Sequence, residues 1–315
     1  MLAFAACLSH TPLQGMFDPS AEVLDEIEAA KAELRANIVA FEPEIVFLFA
    51  PDHFNGFFYD LMPQFCIGTA ADALGDFDTL AGKLNVAPEA AQCAASVLAQ
   101  EIDVAVSHQM KVDHGFTEPL RDIFGSLDTP PIVPIFINSV APPFASCRRA
   151  RVMGEAVGRF ARGLGKRALM IGSGGLSHEP PVPQIEGAPP EVARRLIDGR
   201  NPNDEAVAGR RLRLMDAARN LTLAEPPSKP LNPQWDHAFI AMAATGHADA
   251  FDILKDDEIT QEAGASAHEV RTWIAALSAV GADAGYDFRS IYYRAIPEWI
   301  AGFGVASAKR TEIAA

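Results

Sequence analysis

Basic residues are scarce in this chain. Its 26 Lys and Arg stand against 41 Asp and Glu, a formal net charge of -15 over 315 residues. The acids are spread along the sequence rather than gathered in a tail. Such a surface repels a nucleic-acid duplex or an anionic membrane, which sets both aside as partners. Cysteine is sparse as well. Cys7, Cys66, Cys93 and Cys147 form no C-x-x-C pair, which excludes a paired-cysteine zinc site and a disulfide framework. Reduced, packed thiols in a cytoplasmic protein are the expectation. No apolar run approaches the ~18 residues of a membrane helix. The opening residues, MLAFAACLSH, lack a basic n-region, so no secretory leader is expected. The H-E-x-x-H zinc signature is missing too, since the two His-Glu pairs read SHEPP and AHEVR.

What is present is an ordinary globular composition, 49% hydrophobic and 21% charged, with length for one large domain or two smaller ones. Apolar runs of strand length occur at Leu2–Leu8, Glu44–Ala50, Val104–Val106, Pro131–Ile137 and Arg167–Ile171. Helical spacing follows the start signal Asp18-Pro-Ser20, with Val23, Leu24, Ile27, Leu34 and Ile38 recurring near the helical period. Further helices are expected at Glu89–Ala99 and Ala145–Leu164, then at Asn203–Ala218, Asp236–Ala244 and Ala267–Val280. Strands alternating with helices predict an α/β fold with a central, mostly parallel or mixed sheet flanked by helices and a helical C-terminal part. The aromatic tail Tyr292–Ile300 is expected to pack down. With no internal repeat or linker visible, residues 1–315 read as a single domain.

Four of the eight histidines fall just beyond expected strands. His10 ends the first, His53 follows the second after Pro51-Asp52, His114 follows the third after a loop, and His178 follows the fifth within GSGGLSHEPP. In open α/β sheets, ligands bind beyond the carboxyl ends of strands, so these imidazoles can converge although they are far apart in sequence. His108, His237, His247 and His268 read as ordinary loop or core histidines. Several imidazoles with a carboxylate suggest a metal. Two histidines and one carboxylate on one face of an octahedron leave three open positions, as in non-haem Fe(II) oxygenases. Spacing leaves the carboxylate open, because Asp52, Asp113, Glu179 and Glu269 all sit beside histidines.

These segments carry a family resemblance. CLSHTPL at Cys7–Leu13, LFAPDHFNGFFYD at Leu48–Asp60, VDHGFTEPL at Val112–Leu120 and GSGGLSHEPPVP at Gly172–Pro183 are similar to the class III extradiol ring-cleaving dioxygenases. So are PLNPQWD at Pro230–Asp236, HEVRTWIAA at His268–Ala276 and YYRAIPEWIAGFG at Tyr292–Gly304. Within that family the chain most resembles the enzymes acting on 2,3-dihydroxyphenylpropionate and 2,3-dihydroxycinnamate. The resemblance implies Fe(II) held by His10, His53 and Glu269, with His114 and His178 as an acid–base pair. It implies Asp113 as an outer acid, catechol and O2 as substrates, and a homo-oligomer such as a tetramer. The product would be a 2-hydroxy-6-oxo-dienedioate of aromatic catabolism.

Histidine suits proton transfer at neutral pH because either protonation state is accessible. The expected division has His178 taking the catechol proton and His114 donating one. Phe54, Phe57, Phe58 and Tyr59 are candidates for a pocket around a flat ring, two of them as core. Arg294 is a candidate partner for a substrate carboxylate. The glycines before His178 are expected to let the imidazole approach a flat substrate. Two rival readings are a zinc-dependent hydrolase on the same histidines and a non-catalytic binding member of the fold.

Overall fold

The computed structural model describes residues 3–311. The strands are β1 (Ala3–Leu8), β2 (Ile45–Ala50), β3 (Phe65–Gly68), β4 (Ala71–Leu74), β5 (Ala81–Lys83), β6 (Ala105–Ser107), β7 (Met110–Val112), β8 (Ile132–Ile137), β9 (Ala168–Ser173), β10 (Tyr286–Ile296) and β11 (Ala301–Arg310). The α-helices are α1 (Ala21–Phe41), α2 (Ala90–Leu98), α3 (His114–Phe124), α4 (Cys147–Gly163), α5 (Pro190–Asp198), α6 (Asp204–Leu221), α7 (Pro233–Ala244), α8 (Asp256–Ala263) and α9 (Val270–Gly281). Leu2, the first residue of the expected opening strand, lies outside the described residues.

Eight strands form one mixed sheet in the order β10-β11-β1-β9-β2-β8-β3-β6. Its centre, β1-β9-β2-β8, is parallel, while β11 and β3 join it antiparallel. Apart from Ser173 at the end of β9, the central strands carry no polar side chain, because both faces are covered. In β2, Ile45, Phe47 and Phe49 enter one core with residues of α2, α4 and α9. Val46, Leu48 and Ala50 enter the other with residues of α1 and α3. Each fully buried Phe or Leu of this kind contributes roughly 1.5–3 kcal/mol. α4 and α9 meet closely: a Cβ on Gly154 or Gly158 would stand 2.1 Å from the carbonyl oxygen of Ala275 or Ala279. Only glycine permits that approach.

The parallel centre places the carboxyl ends of β1, β9 and β2 side by side, which brings His10, His178 and His53 to one rim. A second sheet, β5-β4-β7, was not expected from the sequence. Its strand β7 runs directly into α3 and so delivers His114. The C-terminal region carries the expected helices α6, α7 and α9 together with α8, which is not expected from the sequence, and then turns to strands. Tyr292–Ile300 belongs to an antiparallel hairpin, β10–β11, joined by the turn Pro297–Trp299. Among the described residues no helix is long and apolar enough to cross a membrane. All four cysteines are buried and free.

Candidate metal and acid–base site

Three imidazoles gather around the carboxylate of Glu269, and a fourth, His114, packs against two of them. His53 Nε2 lies 3.1 Å and His178 Nε2 3.2 Å from Glu269 Oε1, and His10 Nε2 lies 3.7 Å from Oε2. His10, His53 and His114 form an overlapping group whose ring nitrogens lie within 4.8 Å of one another. His114 stacks on His53 with ring centroids 4.2 Å apart. His10 and His53 therefore stand in both groupings, His178 joins them at the carboxylate, and His114 joins them at the imidazoles.

Each ring has its Nδ1 engaged away from this centre. His53 Nδ1 donates to Asp113 Oδ2 at 3.0 Å, His114 Nδ1 to Asp76 Oδ2 at 2.6 Å, and His178 Nδ1 to the Leu176 carbonyl at 2.9 Å. For His10 the partner is Ser173 Oγ at 3.0 Å. That hydroxyl gives its own proton to the Gly115 carbonyl, so it accepts from His10. The partners thus assign the Nδ1–H tautomer in all four cases.

Neutral imidazoles held this way turn Nε2 lone pairs toward a buried carboxylate. An array made only of acceptors is repulsive unless protons or a metal cation sit among them. The titration preferences express the same need. Burial opposes charge on His53, yet Asp113 and Glu269 outweigh it and hold its pKa well above the ordinary value. Burial likewise works against an ionised Glu269, but His178 and His10 hold its pKa well below the usual carboxylate range. His10 differs: burial pushes it down to about 3, leaving a neutral nitrogen donor. A metal that displaces the proton favoured on His53 would meet two imidazole nitrogens and a carboxylate, a donor set suited to a divalent transition metal.

Local sequence explains these positions. In the loop after β2, the Asp52 carboxylate accepts the backbone N–H groups of Asn55, Gly56 and Phe57, curling the chain behind His53. Asp113 caps α3 by accepting from Gly115 N. Expected as an outer acid, it stands behind His53, while its Oδ2 is 3.9 Å from His114 Nδ1. Gly174 (φ +152) and Gly175 make room for protein groups rather than for a substrate. A Cβ there would stand 2.7 Å from Glu269 Cβ and 2.6 Å from His178 Cε1, respectively.

Other expected residues sit apart from this cluster. Phe54 and Phe58 pack with Val140, Ala141 and Leu196. Phe57 stacks on Phe136 at 3.9 Å, and Tyr59 donates to the Pro142 carbonyl. Arg294 lies on β10 with its guanidinium 3.0 Å from Glu26 on α1. His268 turns away from its neighbour Glu269 to Thr260 and Arg271 inside the core. Sequence reasoning missed Asp76, Asn55 and Ser173, as well as Phe77, whose ring meets His114 edge-on at 5.3 Å.

An imidazole and carboxylate cluster at the carboxyl rim of parallel strands defines a metal-dependent α/β enzyme. Residues 4–304 match the family described as the catalytic LigB subunit of aromatic ring-opening dioxygenase. The chain belongs to that family, and its class is that of the extradiol ring-cleaving dioxygenases. It is 54% identical to the 2,3-dihydroxyphenylpropionate/2,3-dihydroxicinnamic acid 1,2-dioxygenase of Cupriavidus pinatubonensis, over 96% of this chain and 97% of that one. It is 55% identical to the enzyme of the same name from Paraburkholderia xenovorans, over 96% of each. Identity to a Pseudomonas putida counterpart is 51% over 98% and 99%. The crystal structure of an uncharacterized Escherichia coli K12 protein is similar with a TM-score of 0.54 at 14% identity. That match covers 98% of this chain and 99% of the other and speaks for the fold alone.

Proposed function

We propose that the chain cleaves the ring of 2,3-dihydroxyphenylpropionate or 2,3-dihydroxycinnamate with O2, outside the diol, at Fe(II) held by His10, His53 and Glu269. Support comes from the relatives' names at 54–55% identity and from the position of His10 and His53 in both side-chain groupings. That shared position is the observation that carries the ligand assignment. Bound there, Fe(II) supplies the one-electron chemistry that lets O2 react with an electron-rich ring.

The remaining work falls to the chain. His178, backed by a neutral carbonyl, directs its Nε2 into the cluster, where it takes a proton from a catechol hydroxyl. His114, backed by the Asp76 carboxylate, is stabilised as imidazolium and returns a proton to the oxygen that departs in ring opening. The product is a 2-hydroxy-6-oxo-dienedioate. Residues 1–315 act as one catalytic unit. The four buried free thiols fit a cytoplasmic setting, and the open edge of β10 offers a surface for assembly into a homo-oligomer.

Anaerobic reconstitution tests the reading. Protein loaded with Fe(II) and given 2,3-dihydroxyphenylpropionate should take up O2 and yield a new yellow absorbance. Protein loaded with Zn(II) should do neither. Ester or amide hydrolysis with Zn(II) and no O2 uptake with Fe(II) would turn the assignment to a hydrolase.

A further inference from the structure

We infer that Asp76 is a positioning residue for His114, fixing its tautomer and ring direction so that Nε2 faces the bound catechol. The inference rests on the proton-donor role proposed for His114 and goes beyond it.

A single carboxylate takes both N–H groups of His114. Asp76 Oδ1 accepts the backbone N–H at 2.8 Å and Oδ2 accepts Nδ1–H at 2.6 Å. The same clamp recurs at His53, where Asp113 Oδ2 takes the backbone N–H at 2.8 Å and the ring N–H at 3.0 Å. Holding the backbone and the ring at once leaves χ1 and χ2 little freedom. Holding Nδ1 as a donor leaves Nε2 for the reaction, as a carboxylate behind a catalytic histidine does elsewhere.

The two clamps are tied together. Asn55 Nδ2 donates to Asp113 Oδ2 at 2.8 Å and to Asp76 Oδ2 at 3.3 Å, while its Oδ1 accepts from Arg210 on α6 at 2.7 Å. Asp76, Asp113 and His114 could by spacing hold a cation. The amide and imidazole hydrogens already directed at these carboxylates satisfy them instead. The backbone around Asp76 is strained to the same end. Gly75 (φ 72) before it and Phe77 (φ 52) and Asp78 (φ 63) after it occupy the left-handed region, which non-glycine side chains disfavour. Strain of this kind persists where surrounding contacts impose it. Here it turns the Asp76 carboxylate toward α3 and brings the Phe77 ring against His114.

The test is a double-mutant cycle of Asp76→Asn and His114→Phe, with kcat, KM and bound iron measured at each corner. At His114 the two N–H groups go to different oxygens of Asp76, and asparagine puts an amide donor in place of one of them, so one N–H group loses its acceptor. Asp76→Asn should lower kcat about 10–100-fold with KM and iron content unchanged. In the His114→Phe background, already slowed by about 10²–10⁴-fold, it should lower kcat no further, because Asp76 acts only through that ring. Multiplying effects, loss of iron, or a change confined to KM in Asp76→Asn would overturn the inference. So would wild-type kcat in Asp76→Asn beside a slow His114→Phe. A His114→Phe enzyme as fast as wild type would instead sink the donor role itself, and the inference with it. Should Asp76→Asn fail to fold, Asp76→Glu takes its place in the same cycle. It keeps a carboxylate, and the same absence of a further effect on His114→Phe is required.

Discussion

Asp113 precedes His114 in the chain but serves His53, whose backbone nitrogen and Nδ1 lie 2.8 and 3.0 Å from its Oδ2 atom. The reversal arises because Asp113 caps α3: its side chain folds back across the helix start while His114 projects from the first turn. Outer carboxylates of this kind raise the donor strength of a ligating imidazole and fix its direction. Asp113→Asn retains a capping side chain and should weaken Fe(II) affinity about 10–100-fold, read by equilibrium titration. Unchanged iron affinity with a slowed kcat would mean that Asp113 acts through His114 after all.

Glu269→Gln keeps the shape of the buried side chain and removes its charge. Loss of a direct ligand should exceed the effect of an outer partner, so iron affinity should fall by more than about 100-fold, with O2 uptake lost in parallel. Elemental analysis after gel filtration reads the outcome. Full iron occupancy in Glu269→Gln would remove this residue from the ligand set.

Gly175→Ala introduces a methyl that would stand 2.6 Å from His178 Cε1. The ring must move, and displacement on the order of 1 Å typically costs about 10²-fold in rate. The expected result is that loss in kcat with iron retained. Wild-type turnover would show that the placement of His178 is not critical.

Burial raises the Glu118 carboxyl to about 7, above its value in an unfolded chain. A raised carboxyl favours the fold while protonated, so its contribution is complete below about pH 4.5 and is lost as pH rises through 7. Glu118→Gln can still accept the Thr11 N–H that now meets Glu118 Oε2. It should stabilise the protein at pH 8, on the order of 3 kcal/mol, and change little at pH 4. Denaturant titrations at the two pH values compare directly. An equal effect at both would exclude titration as the cause.

Arg294 pairs with Glu26 at the surface, so Arg294→Ala should leave KM for 2,3-dihydroxyphenylpropionate unchanged. A raised KM with unaltered kcat would restore it as a substrate contact.

The ends of β1, β2 and β9 are legible in the sequence because buried parallel strands are continuous apolar runs, and a histidine follows each within a few residues. Glu269 is not legible from spacing. It reaches the rim because α9 packs on the sheet, a contact that AHEVR does not announce, and only the family resemblance singles it out. Asp76 lies 38 positions before His114, in a short turn with no apolar pattern. β10 escapes notice because, as an edge strand, it has no clean alternation of buried and exposed residues. β11 is built largely of Ala, Gly and Ser, which favour no strand reading.

The adjacency of β1, β9 and β2 has a consequence for biosynthesis. His10 and His53 leave the ribosome early, but the carboxylate proposed to complete the metal pocket is Glu269, borne just ahead of α9. A nascent polypeptide halted anywhere before that point can offer nitrogen donors but no finished pocket. With the proposed ligand set, metal loading would be deferred until most of the chain has been translated.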